Sequence, residues 1–209
     1  MSYSPVPESR RRDGLAVHGA RALTAAAVVL GITAVMWVLE LVDVVLGGTL
    51  DRLGVQAHDV NDLPDIFTAP FMHGSLGHLA GNTLPFVVLG FLAAVRGIGR
   101  FLAMMLVVTV VGGLGVWFTG SGNTLGSSIL VFGFFGYLLG RGVFERRLAD
   151  IAIAVGVVAV YGTLIFGILP QDPNISWQGH LFGLIGGVLS AWVLRRRRER
   201  EPAAPAPVL

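Results

Sequence analysis

Six long apolar segments, separated by short stretches rich in charges, glycine and proline, dominate the sequence. A helix rises 1.5 Å per residue, so about 17–20 residues cover roughly 26–30 Å, the thickness of the hydrocarbon core of a bilayer. The pattern therefore predicts an all-α polytopic membrane protein, a bundle of six transmembrane helices. The predicted segments are residues 22–46, 76–95, 101–118, 124–140, 151–169 and 177–194.

The first apolar segment ends in an acidic pair, Glu40 and Asp43, so only residues 22–39 are free of charge. The run is too long for a secretory signal and no clear small-residue cleavage site follows it, so we interpret it as a membrane helix. The acidic pair could form a proton or cation site, but a position near the outer water interface is the simpler interpretation.

Composition supports a membrane protein. Of the 209 residues, 54% are hydrophobic and 13% are charged, whereas soluble domains average about 45–50% and about 25%. The 29 glycines fit this class because glycine is common in membrane helices and lets their backbones approach closely. The absence of cysteine excludes disulfides, a thiol nucleophile and a cysteine-ligated metal site.

The arginines predict an orientation in the membrane. All fifteen basic residues are arginine, and only Arg52 lies outside the two tails and the loops that follow the second and fourth segments. The positive-inside rule places those loops and both termini in the cytoplasm. We expect a cytoplasmic tail over residues 1–21, a membrane domain over 22–194 and a basic, proline-rich cytoplasmic tail over 195–209.

The expected surroundings follow from the same charges. The formal net charge is only +2, and the basic residues form short clusters between apolar runs. Such clusters indicate membrane topology instead of a nucleic-acid-binding surface, so no nucleic-acid partner is expected. The bias towards arginine, alanine and glycine indicates GC-rich bacterial coding. We therefore expect a multi-pass protein of a bacterial plasma membrane, in contact with the lipid bilayer.

Three predicted helices carry polar residues at one depth. Asn82, Ser128 and His180 each lie 13 to 15 residues from the arginine that marks the inner end of their segment, which is about 20 Å at 1.5 Å per residue. His78 lies one turn above Asn82 on the same face. Polar groups inside a bilayer are costly, so these four residues are candidates for function.

A serine and a histidine at equal depth can act as a nucleophile and its general base, the minimum set for acyl transfer. We predict this dyad for Ser128 and His180, because no carboxylate lies at their depth to complete a triad. His78 and Asn82 are the predicted donors to the tetrahedral oxyanion. In isolation, Ser128 would more simply be a packing residue, and its neighbour Ser127 is a competing serine.

At these residues the sequence resembles the rhomboid family of intramembrane serine proteases. Residues 73–82 resemble the family motif H-x(4)-H-x(3)-N, residues 126–133 resemble G-x-S-G-x(3)-G, and residues 179–187 resemble A-H-x(2)-G-x(3)-G. The three motifs fall in the correct segments and order, and the resemblance extends over about residues 22–194.

This resemblance implies a function for each motif residue. It implies cleavage of transmembrane protein substrates near the outer face, with Ser128 as nucleophile, His180 as base, and no metal or cofactor. It implies that His78, Asn82 and the Ser128 amide bind the oxyanion, and that residues 170–176 cap the site. The supporting residues that it implies are His73 in the preceding loop, Gly126 before the nucleophile and Phe132 packed on the catalytic histidine.

Two positions depart from the family motifs. Gly179 stands in place of alanine, and Ile129 stands in place of the glycine that follows the nucleophile. Ile129 would either narrow the substrate cleft or mark a catalytically inactive relative that binds membrane clients. A transporter that uses the polar layer is a further alternative, but the lower halves of the three helices are almost wholly apolar. A zinc site at His73 and His78 lacks the H-E-x-x-H spacing and a completing carboxylate.

Overall fold

The structure is a computed structural model that describes residues 8–170, 172 and 175–195. Within these residues the chain forms six α-helices and a two-stranded sheet. The strands β1 (Val55–Gln56) and β2 (Asn123–Thr124) pair antiparallel. The helices are α1 (Glu8–Val45), α2 (Leu76–Ala94), α3 (Ile98–Thr119), α4 (Ser128–Glu145), α5 (Leu148–Tyr161) and α6 (Trp177–Val193). Of the two expected tails, residues 1–7 and 196–209 lie outside the described residues.

All six predicted segments contain a helix, but their boundaries differ from the prediction. α1 begins at Glu8 instead of residue 22, because arginine and alanine are good helix formers and continue the helix before the apolar run. α4 begins at Ser128 instead of residue 124, because residues 123–124 pair with β1 and Gly126 has a φ of 126°. α5 ends at Tyr161 and the chain continues as a 3-10 helix, Gly162–Ile168.

Five of the helical segments described are long and apolar enough to cross a membrane. α6 has 17 residues and is not among them. The chain is therefore a multi-pass helical membrane protein. The five segments are Val17–Val45, Leu76–Ala94, Ile98–Thr119, Ser128–Glu145 and Leu148–Ile168.

α4 lies at the centre of the bundle. In its apolar window 72% of the residues are buried, compared with 11% for the window of α5 and the following 3-10 helix. Phe134 of α4 packs between Phe86 of α2 and Phe101 of α3, with ring centroids 5.2 and 5.5 Å apart. These aromatic contacts fix α4 between its neighbours.

α4 and α6 pack through glycines. A Cβ atom on Gly183 would overlap the backbone carbonyl of Ile129, and a Cβ atom on Gly187 would overlap that of Gly133. Glycine alone permits such a close approach of two helix backbones. The contact holds the N-terminal turns of α4 and α6 side by side at one end of the bundle, which we call the upper end.

At the opposite, lower end, two ion pairs that share the buried Asp150 join three segments. Oδ1 of Asp150, in the first turn of α5, accepts hydrogen bonds from Nη2 of Arg141 on α4 and from Nη2 of Arg96 in the loop after α2, the latter at 2.6 Å. The side chain of Asp150 is fully buried and that of Arg141 is 2% exposed. These ion pairs attach the start of α5 to α4.

Candidate active site

An open cleft of about 1190 Å³ lies at the upper end, among the first turns of α2, α4 and α6. Ser128, His180, His78 and Asn82 all line it. The structure thus brings together, from three helices, the three residues that the sequence places at one depth and His78, which it places one turn above them. Pro170, Asp172 and Ser176, from the segment expected to cap the site, also line the cleft.

Ser128 is the first residue of α4 and is partly exposed to the cleft. Because it begins the helix, its backbone N–H has no acceptor in a preceding turn. Within the described residues this N–H makes no hydrogen bond. Ser128 therefore offers the cleft both a hydroxyl group and an unpaired backbone donor.

Gly126 shapes the turn before Ser128 for two reasons. Its φ of 126° lies in a region that residues with a side chain rarely adopt. A Cβ atom at this position would also lie 2.7 Å from Cε1 of His78. Glycine is thus required both for the turn and for the close approach of the His78 ring.

His180 lies in the first turn of α6, where the Ser176 hydroxyl caps the helix by accepting from the Gly179 N–H at 3.2 Å. Nδ1 of His180 lies 2.8 Å from the carbonyl oxygen of Gly167. A carbonyl only accepts, so Nδ1 carries the proton and Nε2 of the neutral ring is left as the basic nitrogen. The Phe132 ring stacks on the imidazole, with centroids 4.1 Å apart and planes 7° apart.

Ser128 and His180 line the same cleft but do not share a hydrogen bond, and no carboxylate of the described residues bonds to His180. Bonds between a nucleophile and its base are often long without substrate and tighten in the reacting complex. The arrangement can therefore support a serine–histidine dyad, with a carbonyl and an aromatic ring orienting the histidine.

His78 and Asn82 lie one turn apart on α2, and both face the cleft. The His78 side chain is exposed. Nδ2 of Asn82 donates to the backbone carbonyl of His78 at 3.2 Å, which uses one of the two amide hydrogens and leaves the second for a ligand.

His73 lies behind the cleft and is 2% exposed. Its Nε2 lies 3.0 Å from the hydroxyl of Ser127 and 3.2 Å from the Ser127 backbone nitrogen. Burial, together with a smaller effect of the neighbouring His78 ring, whose centroid is 5.2 Å away, lowers the pKa of His73 to about 4. A neutral His73 thus connects the loop before α2 to the turn before α4.

Ile129 turns towards α3. A Cβ atom on Gly112 would overlap Cδ1 of Ile129 and lie 2.6 Å from its Cγ1. The isoleucine side chain therefore occupies space that a glycine on α3 leaves open. It is 8% exposed and forms one edge of the cleft.

Sequence reasoning missed Gly167 and the bond between Ser127 and His73. A Cβ atom on Gly167 would lie 2.8 Å from Cζ of Phe132 and 3.2 Å from Nδ1 of His180, so the glycine lets its carbonyl reach the histidine. The only sequence signal was one more glycine in an apolar segment. Ser127 could not be distinguished from a packing serine, because its partner is 54 residues away.

In the described part of the chain, no three histidine, aspartate or glutamate side chains are arranged to hold a metal ion. The rings of His73 and His78 meet edge to face, with their planes 72° apart. Nε2 of His73 is already occupied by Ser127. The candidate residues that line the cleft present hydroxyl, imidazole and amide groups.

Comparison with known proteins gives a consistent result. The family model of the Rhomboid domain matches residues 61–197. An uncharacterized protein of Mycobacterium tuberculosis is 35% identical over 201 residues, which cover 91% of this chain and 81% of the relative. A second uncharacterized protein, from Mycobacterium leprae, is 36% identical and covers 93% of this chain and 78% of the relative.

A more distant relative carries a functional name. The rhomboid protease GluP of Bacillus subtilis is 30% identical over 131 residues, which cover 62% of this chain and 25% of the longer GluP chain. The matched domain spans α2 to α6 and so includes every residue of the cleft named above. The chain belongs to the rhomboid family.

Proposed function

We propose that this protein is an intramembrane serine protease, which cuts transmembrane segments of other membrane proteins through an acyl-enzyme on Ser128. The observation that carries the proposal is the convergence of Ser128 and His180 in one cleft, with the Gly167 carbonyl holding Nδ1 of His180. Membership of the rhomboid family supports the reaction class.

In the proposed reaction, Ser128 Oγ attacks the scissile carbonyl carbon while its proton passes to Nε2 of His180. Collapse of the tetrahedral intermediate breaks the C–N bond, and the departing amine takes the proton from His180. An ester on Ser128 remains. Water then attacks the ester and gives a proton to Nε2; as the ester C–O bond breaks, this proton passes to Ser128 Oγ, which releases the new carboxyl terminus and the free serine.

The oxyanion of the tetrahedral intermediate needs hydrogen-bond donors within the cleft. The unpaired N–H of Ser128, the His78 ring and the second amide hydrogen of Asn82 are the proposed donors. Each such donor contributes about 2.7–4 kcal/mol to transition-state stabilisation in other acyl-transfer enzymes. Gly126 supports this set because it allows the His78 ring to approach the turn before Ser128.

His180 is oriented without a carboxylate. The Gly167 carbonyl fixes the tautomer, and the stacked Phe132 ring fixes the plane of the imidazole. An aromatic face also attracts the imidazolium that forms during the reaction. These two contacts take the place that an aspartate holds in a triad.

We propose further that all six helices cross the plasma membrane, with both termini in the cytoplasm and the cleft near the outer face. Arg96 and Arg141 lie at the lower end of the bundle, which supports a cytoplasmic position for that end. The 17 residues of α6 extend about 26 Å, close to the thickness of the hydrocarbon core. The partners are then lipid and single-span membrane substrates.

The catalytically inactive alternative rested on Ile129. Because Gly112 receives the end of the isoleucine side chain, the departure from the motif glycine is matched by space on α3. No contact of Ile129 with Ser128 Oγ or His180 is needed to accommodate it. The geometry therefore favours the protease.

The proposal is tested with purified protein in detergent and a single-span substrate whose helix is destabilised by glycine and proline. Ser128→Ala and His180→Asn should each lose at least about a thousandfold in kcat, whereas a chelator should have no effect. Matched controls are Ser190→Ala, in the lower half of α6, and His58→Asn, which lies outside the cleft; both should keep wild-type activity.

A serine-directed fluorophosphonate probe gives a second measurement that needs no known substrate. Wild-type protein should be labelled, and Ser128→Ala should not. Labelling or cleavage that survives Ser128→Ala would overturn the proposed nucleophile. A wild-type protein that neither cleaves nor is labelled would instead favour the client-binding alternative.

The membrane orientation has its own test. Reporter fusions at the N-terminus, near Arg146 and at the C-terminus should all give a cytoplasmic signal. An external signal at any of these positions would contradict the proposed topology.

A further inference from the structure

Ser127, directly before the proposed nucleophile, belongs to a second serine–histidine pair. Ser127 is fully buried and His73 is 2% exposed, so neither side chain can reach a substrate. Their contact lies beneath the cleft and joins two elements, the loop before α2 and the turn before α4. The pair is therefore placed to act on the geometry of the site instead of on the substrate.

The donors around His73 define its protonation state. The backbone N–H of Ser127 donates to Nε2 at 3.2 Å, so Nε2 must present its lone pair. The Ser127 hydroxyl, 3.0 Å from the same nitrogen, must then donate as well. In the neutral ring the proton lies on Nδ1.

Every polar atom of Ser127 is thereby held. Its nitrogen and hydroxyl bind His73, and its carbonyl oxygen accepts from the N–H groups of Leu130 and Val131, both at 3.0 Å. The peptide unit between Ser127 and Ser128 is planar and trans, so its carbonyl and its N–H point in opposite directions. With the carbonyl turned into α4, the N–H of Ser128 points away from the helix, at the edge of the cleft.

We propose that Ser127 is a positioning residue, whose hydroxyl and amide, locked onto neutral His73, aim the Ser128 N–H at the oxyanion of the substrate. This inference rests on the protease function proposed above and adds to it a residue outside the dyad and the side-chain oxyanion donors. This pair of hydrogen bonds from Ser127 to His73, which we call the lock, supplies no proton and no nucleophile. Its effect is on the transition state, where the oxyanion forms, and not on substrate binding.

The first experiment compares Ser127→Ala with wild type and with Ser127→Thr, which retains a hydroxyl donor. Loss of one neutral hydrogen bond should lower kcat by about 3- to 10-fold, with KM unchanged. Ser127→Thr should recover most of the loss. Ser190→Ala, which also removes a buried hydroxyl but one bonded within α6, should leave kcat unchanged.

Variants of His73 extend the test. A glutamine at this position can accept a hydrogen bond through its side-chain oxygen, whereas a leucine cannot. We expect kcat to fall in the order wild type, His73→Gln, His73→Leu. Equal kcat for Ser127→Ala, His73→Leu and wild type, with Ser128→Ala inactive, would overturn the lock while leaving the protease in place.

The tautomer gives a readout that does not depend on activity. In protein labelled with ¹⁵N-histidine, His73 should show an unprotonated Nε2 and a protonated Nδ1, and Ser127→Ala should shift the Nε2 resonance. A protonated Nε2 at neutral pH would overturn the lock whatever the kinetics show. Failure of the protease function, seen as activity that survives Ser128→Ala, is therefore distinguishable from failure of the lock.

Discussion

α4 and α5 follow one another in the chain, yet the bundle holds them in opposite ways. In the apolar window of α4, 72% of the residues are buried, and its glycines meet the backbone of α6 directly. The window of α5 and the following 3-10 helix is 11% buried. This segment packs on the core through Val157 and is further held by the ion pairs of Asp150 below and by Gly167 beside His180 above.

The difference indicates how the site is held. Ser128 and His180 stand on the two helices with the closest backbone contact, so their separation is set by rigid packing. The carbonyl that orients His180 belongs instead to the sparsely packed segment. Its position depends on a few local contacts, and these are the places where a single substitution can alter the site.

The largest effect is expected at the lower attachment of α5. Asp150→Ala removes the counter-charge of buried Arg141 and should lower the free energy of unfolding by about 3–5 kcal/mol, measured by chemical unfolding in mixed micelles. The control is Glu145→Ala, whose side chain is 8% exposed but whose partner Arg147 lies 3.9 Å away and is 49% exposed; because water can solvate the remaining arginine, the cost should be about 1 kcal/mol or less. Equal stability of Asp150→Ala and wild type would contradict the proposed attachment.

Acid should lower the free energy of unfolding through protonation of His73, which contacts the turn before α4. The pKa of His73 is about 4 in the folded protein and about 6.5 when unfolded, so the unfolded chain takes up this proton first. Each pKa unit corresponds to about 1.4 kcal/mol, and stability should fall by up to about 3 kcal/mol as the pH drops from 6.5 to 4. Above pH 6.5 this residue should contribute no pH dependence.

The matched control for this acid effect is His73→Gln, because other titratable groups lie close to His73. His78 faces its ring, and Glu40, Asp43 and Asp51 line a crevice beside it. Subtracting the pH profile of the variant from that of wild type isolates the contribution of His73. Identical profiles would show that His73 titrates alike in both states.

Replacing glycine by alanine should change the stability of the protein in opposite directions on α6 and on α5. Gly187→Ala on α6 forces a methyl group into the backbone of α4 and should destabilise by about 1–3 kcal/mol. At Gly156 on α5 nothing lies within 4 Å of an added Cβ, and alanine should stabilise by up to about 1 kcal/mol through helix propensity. Thermal unfolding in detergent measures both, and loss of stability in both variants would refute the contrast.

The smallest effect concerns the contact between α3 and α4. Gly112→Ala should destabilise by about 1 kcal/mol because its methyl group meets the Ile129 side chain. Combining it with Ile129→Ala should relieve that clash, giving a coupling of about 0.5–3 kcal/mol in a double-mutant cycle. Strict additivity would mean that Ile129 points elsewhere, and Ile129→Ala should then be examined for altered cleavage of bulky substrates.

Much of the fold was predictable because the formation of a membrane helix depends on the residues of that segment alone. A helix that crosses a membrane needs about 20 apolar residues, and the six predicted segments each contain a helix. The boundaries at Ser128 and Tyr161 were not predictable from hydropathy. The first depends on the pairing of residues 123–124 with β1 and the second on a local change to 3-10 geometry.

The candidate site was predictable in part for the same reason. Counting residues from the nearest arginine placed Asn82, Ser128 and His180 at one depth, and they do line one cleft. Counting gave depth along each helix but not rotation about it or the distance between helices. It could therefore not show that Ile129 turns to Gly112 or that Asn82 bonds to the backbone of its own helix.

The apolar helices, the polar layer and the family motifs were readable from the sequence, since each depends on residue types at short, regular spacing. The contacts that hold the site and the lower end of the bundle depend on tertiary packing: Gly167 with His180, His73 with Ser127 and Asp150 with Arg141. These partners lie 13, 54 and 9 residues apart in the chain and on different segments, so they meet only when the helices pack against one another. The spacing of residues along the chain does not predict such contacts, because they depend on how the helices are oriented when they pack.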